Sequence, residues 1–461
     1  MNFSSQKWFA ETKACLGLAI PLAAAQLSEA AIGFIDTVMM GWLGSQNLAA
    51  GSLADITFQS LIIIGTGLIS AVGALGAIAY GSGDRQQLQR ITSGGIWLTI
   101  GLSLPIMSLV WNFATIFRFL GQEEVNILLA ERYLQAIVWG LPAAFAFAFF
   151  KNLVSALNRP GIIMLTMVAG ISLNAIGNYL LAFGKWGFPA LGLAGLGWAS
   201  TFAFWVKAIA VLSFILLNAD FRKFNLFRYG LHWHSLILRK LVKVGSPIMA
   251  IFFVETGLFT MTTYLIGQLG SIPLAAHQIA FRSAFITFTV CVGISYATTI
   301  RVGQMLGKKD FIGVKRAGYV GISISAIFMS FMAFILWIFP EQIVSIYLDV
   351  NNSANREIIQ LAVTLLGLAA IFQIVDGIQI TAAGALRGIK DTQITLFLGI
   401  ISYWAIGLGS GYFFGIVLQW GSVGFWWGLV LGLFANALAL TWRFHSRTIA
   451  SLRSLSSFTS Q

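Results

Sequence analysis

Four acidic residues stand inside long apolar stretches of this chain: Glu29, Asp36, Glu255 and Asp376. A carboxylate at membrane depth costs roughly 2.5–3.5 kcal/mol on an insertion scale, so acids there are rarely filler. Two kinds of chemistry suit them. A carboxylate in a partly dehydrated site can take up and release a proton, or it can join neutral oxygens around Na⁺, a hard cation. Glu29 and Asp36 are seven residues apart, about two helical turns, and so share one helix face. Lys207 and Arg282 are the basic residues near the same depth, too few to neutralise all of these acids. Asp55 is expected at an interface.

Neutral oxygens are available nearby in kind. Asn174 and Asn178 are four residues apart and stack on one face of a helix. Such an amide pair serves equally as interhelical glue or as ion ligands. Thr201, taken alone, reads as a helix-packing residue. Fifteen Trp and 38 Phe supply aromatic faces that attract organic cations, although most must face lipid or neighbouring helices.

The elements that hold these residues follow from composition. Of 461 residues, 58% are hydrophobic and 10% charged, with mean hydropathy +0.84. A soluble domain is about 25% charged, so a disordered chain, a disulfide scaffold and an ordinary soluble enzyme are excluded. An outer-membrane barrel is excluded too, because its strands alternate polar and apolar residues. Uncharged runs long enough to cross about 30 Å of hydrocarbon follow one another. They place twelve transmembrane helices centred near residues 27, 66, 103, 142, 172, 204, 255, 289, 328, 371, 405 and 431. Gln419-Trp420-Gly421-Ser422 is the turn that divides the last long uncharged run.

With both ends cytoplasmic, the inner segments hold 22 of the 28 Lys and Arg, as the positive-inside rule requires. The net charge of +12 is therefore topological and faces lipid headgroups rather than nucleic acid. The polar start, MNFSSQKWFAETK, reads as a retained cytoplasmic end and not a signal peptide.

The chain repeats itself. An offset of 226 pairs Pro21 with Pro247, Glu29 with Glu255, Leu43-Gly44-Ser45 with Leu269-Gly270-Ser271, Asp84 with Asp310 and Arg90 with Arg316. Each half holds six spans and inserts in the same sense. The expected architecture is an all-α polytopic membrane protein of two six-helix lobes related by pseudo-two-fold symmetry, V-shaped with a central cleft. Residues 1–219 form the N-lobe, 220–243 a basic linker, 244–442 the C-lobe and 443–461 a cytoplasmic tail. Two lobes around a cleft suit alternating access. No G-x-x-x-x-G-K-[ST] segment is present, so an ion gradient or the substrate must supply the energy.

Smaller motifs carry little chemistry. Cys15 and Cys291 lie in apolar segments and read as small buried hydrophobes. His232, His234, His277 and His445 show no zinc-type spacing. Gly81-Ser82-Gly83-Asp84 spells the GxGD of intramembrane aspartyl proteases, but Asp84 opens a loop with Arg85 and Arg90 and reads as part of a turn. No nucleophile–base set is visible in the membrane, and an enzyme is not expected.

Phe34-Ile35-Asp36-Thr37-Val38-Met39-Met40-Gly41, Ala276-His277-Gln278-Ile279, Ile300-Arg301-Val302-Gly303 and Leu386-Arg387-Gly388-Ile389-Lys390-Asp391-Thr392 together resemble the multidrug and toxic compound extrusion (MATE) family, in its NorM-like branch. The similarity runs over almost the whole chain. It implies cation-coupled export of hydrophobic, often cationic drugs, by antiport with Na⁺ or H⁺ and with no cofactor. It also implies an N-lobe cation or proton site of Asp36, Asn174 and Asn178, with Thr201 matching a hydroxyl on helix six. Glu255 and Asp376 match the acids of a C-lobe site, while Phe372 stands where some relatives carry a tyrosine. Glu29 matches no family position. A monomer in a bacterial inner membrane is implied. The nearest rival is a lipid-linked precursor flippase of the same bilobed architecture, which would want a basic cleft for pyrophosphate.

Overall fold

The computed structural model describes residues 3–119, 121–350, 352 and 355–459, with side chains described between residues 6 and 449. The far end of the tail, including the Arg453 side chain, lies outside the described residues, as do Met1 and Asn2. The first six long helices are α1 (Phe3–Trp42), α2 (Ser45–Gly81), α3 (Arg85–Trp111), α4 (Glu124–Ala156), α5 (Gly161–Phe183) and α6 (Leu193–Leu217). The second six are α7 (Ser235–Gly267), α8 (Ser271–Gly307), α9 (Phe311–Ile338), α10 (Arg356–Gly388), α11 (Thr392–Val417) and α12 (Gly421–Thr459). Eleven helices among the described residues are long and apolar enough to cross a membrane. The remaining long helix, α7, has 33 residues; Arg239, Lys240 and Lys243 occupy its first turns and Glu255 its apolar part. Every helix centre expected from the sequence falls inside one of these twelve.

The internal repeat is visible in the caps. Helices α2 and α8 each have 37 residues and begin after Gly44 and Gly270, which share a left-handed φ of 112° and 125°. Helices α3 and α9 begin after Asp84 and Asp310, whose carboxylates accept the backbone N–H of Gln87 and Gly313 at 2.8 Å. An acid in that position satisfies one of the orphan donors of the first helical turn. The GxGD segment is thus a turn and an N-cap. Gly83 (φ 72°) and its mate Lys309 (φ 60°) occupy the same left-handed conformation, so the repeat tolerates losing that glycine.

Two compact units are present, each packed around its own helices: Ala24–Met249, and Ala250 onward together with the chain up to Ala23. In the first, α6 packs on α4 and α5, and α2 on α3 and α4, over buried Phe58, Tyr133, Phe145 and Phe149. In the second, α10 is central and packs on α8, α9 and α12. The early part of α1 is fastened there by a bidentate pair, Glu11 to Arg301 at 2.7 and 2.8 Å.

Helices α11 and α12 meet through glycines. Gly407, Gly411 and Gly415 face Gly432, Gly428 and Gly424; a methyl on Gly432 would stand 2.6 Å from Gly407 Cα. Small residues at a spacing of four let membrane helices approach backbone to backbone. Beside this contact α11 widens into π-helical turns at Ile401–Leu408 and Phe413–Val417. Such turns are frequent at functional sites, and the first of them carries Tyr403.

Candidate functional site

Each unit holds a buried carboxylate centre. In the Ala24–Met249 unit, Asp36 comes from α1 and is 3% exposed. Asn178 of α5 donates to Asp36 Oδ1 at 2.6 Å and to Asn174 Oδ1 at 3.1 Å. Asn174 in turn donates to Ser200 Oγ of α6 at 3.1 Å. The spacing of four on α5 therefore does bring both amides to one place, and they chain α6 to α1. Among the described residues the Asn178 Oδ1 oxygen is buried without a hydrogen-bond partner. A buried acceptor left unpaired costs about 1–3 kcal/mol, so an oxygen of this kind next to a carboxylate suits an incoming cation or proton donor.

Thr201 does not join this chain. Its hydroxyl donates to the Ala136 carbonyl of α4 at 2.8 Å, which is the packing role. Its neighbour Ser200 makes the polar contact instead. Asp55, on α2, accepts from the Tyr133 hydroxyl at 3.3 Å. Glu29 is exposed and is not brought against Asp36, although the two share a helix face. Buried Lys207 presents its ammonium to the rings of Phe204 and Phe147, at 4.7 and 5.7 Å.

In the other unit, Glu255 of α7 and Asp376 of α10 are 9% and 3% exposed. One side chain joins them: Gln379 donates to Glu255 Oε1 at 3.2 Å and to Asp376 Oδ1 at 3.1 Å. Its carbonyl oxygen accepts from the Tyr403 hydroxyl and from Asn436 Nδ2, both at 3.0 Å. All of the amide's groups are thus engaged, and the network fixes which end is which. Asn436 Oδ1 is buried without a partner among the described residues. Each unit therefore pairs buried acid with one unsatisfied amide oxygen.

Phe372, one turn before Asp376, packs among Phe259 and Trp426 and offers no ligand. The phenol comes from elsewhere: Tyr403, on the π-helical part of α11, lies 3.5 Å from Glu255 Oε1. His277 is also structural. Trp426 donates to its Nδ1 at 3.2 Å, so the ring proton sits on Nε2, toward Thr263 Oγ at 2.9 Å.

Among the described residues, Asp36, Glu255 and Asp376 form no ion pair with Arg or Lys. Arg282 is exposed. A further buried cation is Arg387: 5% exposed, it donates to Ser295 Oγ at 2.6 Å and stacks on Tyr296. No group of three or more His, Cys, Asp or Glu that could hold a metal occurs among the described residues. An ion held here would rest on one or two carboxylates with amide and hydroxyl oxygens, the donor set that suits a hard monovalent cation.

The MatE family model matches residues 21–180 and 247–413. A probable multidrug resistance protein NorM of Synechocystis sp. is 39% identical over 444 residues, covering 96% of this chain and 96% of that protein. One from Pseudomonas aeruginosa is 36% identical over 438 residues, covering 95% and 90%. Among solved structures, the outward-facing conformation of a multidrug resistance MATE family transporter of the MOP superfamily superposes with TM-score 0.87 at 19% identity, covering 96% of each chain. A eukaryotic MATE transporter superposes with TM-score 0.84 at 16% identity, covering 96% of this chain and 99% of that one.

Proposed function

The chain belongs to the MatE family, and from that premise we propose that it is a multidrug efflux transporter driven by cation antiport. The observation that carries this reading is the state of its buried acids: Asp36, Glu255 and Asp376 are held by amide N–H groups and form no ion pair among the described residues. Acids in that condition stay useful only if a mobile cation neutralises and then leaves them. The relatives' names as multidrug resistance proteins support drugs as the cargo. The aromatic content favours apolar and cationic ones.

The roles follow the geometry. Asp36, with Asn178 and Asn174, forms one cation or proton site; Glu255 and Asp376, spanned by Gln379, form the other. Either H⁺ or Na⁺ is the coupling ion, as cargo, and no resident cofactor is needed. Thr201 is a packing residue, and Glu29 has no assigned part. Binding of the cation shifts the balance between two conformations and weakens drug binding in the one that releases the drug. Coupling requires only that ion and drug prefer different conformations. The charge bias supports cytoplasmic termini, and the resemblance to bacterial relatives supports a bacterial inner membrane. A flippase for lipid-linked precursors is not favoured, since the relatives carry multidrug names.

The test is drug efflux from proteoliposomes under Na⁺ and pH gradients imposed separately. One gradient should drive efflux, and Asp36→Asn should abolish it. Efflux indifferent to both gradients would end the antiport reading.

A further inference from the structure

Away from the carboxylate centres, a cavity of about 290 Å³ opens where the ends of α8 and α10 meet the start of α9 and the Arg447–Thr448 stretch of α12. Leu306, Phe311, Val314 and Ile389 give it an apolar floor, and Lys390, Asp391 and Arg447 a charged rim. The rim is built rather than incidental. Asp391 Oδ2 accepts from Nε of both Arg443 and Arg447 at 2.9 Å, and the carboxylate is only 10% exposed. One acid thus holds two guanidiniums side by side, and the rim of Lys390, Asp391 and Arg447 keeps a net positive charge, with Arg443 behind it on the same carboxylate. Lys390 is exposed and its backbone is left-handed (φ 63°), which turns this residue out of the helix end.

An apolar floor under a basic rim, at helix ends in a membrane protein, matches an amphiphile with a phosphate head. We propose that this cavity binds the headgroup of an anionic phospholipid, with its phosphate against Arg447 and Lys390 and its glycerol and first acyl carbons over Ile389 and Val314. Guanidinium groups suit phosphate oxygens because they present parallel N–H donors. Basic pockets between helices are a recurrent means of selecting anionic over zwitterionic lipid. The Asp391 carboxylate has a part in the arrangement: it orients the two guanidiniums while leaving the site net positive.

The test uses the full-length protein purified in detergent, titrated with phosphatidylglycerol, phosphatidylcholine or inorganic phosphate. Bound lipid is counted by native mass spectrometry and followed by the thermal midpoint. Phosphatidylglycerol should be retained at least tenfold more tightly than phosphatidylcholine, less so at high salt. Lys390→Glu, which reverses a rim charge, and Ile389→Trp, which fills the floor, should each remove that preference. Lys223→Glu, in the other unit, should keep it. The proposal fails if both lipids bind alike or if inorganic phosphate raises the midpoint as much as phosphatidylglycerol does. It fails equally if Lys390→Glu and Ile389→Trp retain the preference, or if Lys223→Glu removes it as fully.

Discussion

Asn178 gives an amide hydrogen to Asp36 at 2.6 Å while its own carbonyl oxygen stays buried and, among the described residues, unpaired. The donor holds the carboxylate in place, and in the proposed antiport the oxygen would meet the coupling cation. Asn178→Leu removes both functions at similar volume. Drug efflux from proteoliposomes should fall at least tenfold while the protein still elutes as a folded species. Thr201→Val is the contrast, since that hydroxyl serves only the Ala136 carbonyl among the described residues. It should cost about 0.5–1.5 kcal/mol of stability and leave efflux within twofold of wild type.

Gln379 is expected to matter more for the second centre than its neutral side chain suggests. Gln379→Leu deprives Glu255, Asp376, Tyr403 and Asn436 of a partner at once. Each stranded group costs about 1–3 kcal/mol, so the thermal midpoint should drop clearly and ion-driven efflux should be lost. Gln379→Glu keeps the acceptor for Tyr403 and Asn436 but sets a third acid beside two others. Stability in that variant should recover as pH falls and the extra acid is protonated. A midpoint unchanged in both variants would show that Gln379 does not bridge the two acids.

These two centres are not equally legible in the sequence. Asp36, Glu255 and Asp376 stand out because a charge inside an apolar run is too costly to persist without a task. Gln379, Tyr403 and Asn436 carry no such signal: neutral polar residues are cheap enough in helices to occur without one. Ser200 and Thr201 differ by one helical step, about 100° around the axis, and sequence spacing does not decide which of them meets Asn174. Arg387 stands three residues before the exposed Lys390, yet α10 continues through Gly388 and keeps it buried. The repeat is legible in Gly44/Gly270 and Asp84/Asp310, but Asp84 reads from the sequence as opening a loop with Arg85 and Arg90, and the structure makes it the N-cap of a helix that contains both.

The pair of Glu11 and Arg301 holds the early part of α1 to α8. Their side chains are 6% and 12% exposed, so this is a buried pair rather than a surface one. Breaking such a pair from one side strands the other charge and costs about 3–5 kcal/mol. Glu11→Ala should therefore lower the thermal midpoint strongly, and Glu11→Ala with Arg301→Met should recover part of the loss. If the double variant is the less stable of the two, the pair is not what binds that segment.

A milder effect belongs to the linker. The Lys223 ammonium, hydrogen-bonded to Asp220, and then the nearby Arg159 guanidinium hold the Asp220 carboxyl below its ordinary range. A carboxylate lowered on folding adds stability that is present above its unfolded pKa and is lost as pH falls through the folded value. All three side chains are solvent-exposed, so the gain is small. Wild type and Asp220→Asn should differ slightly in thermal midpoint at neutral pH and in low salt. The two should converge in acid and in high salt, and a gap that widened in acid would contradict this assignment.

The most direct measurement is the mutual effect of cation and drug on binding at equilibrium. Ethidium affinity of the purified protein should weaken as the coupling ion is raised, either Na⁺ at fixed pH or H⁺ at fixed Na⁺. Linkage requires ethidium to weaken ion binding by the same factor. In Asp36→Asn/Glu255→Gln/Asp376→Asn the ion should lose its influence while ethidium still binds. Ethidium affinity indifferent to both ions in the wild type, or an ion effect that survives in the triple variant, would contradict the claim that these acids carry the coupling.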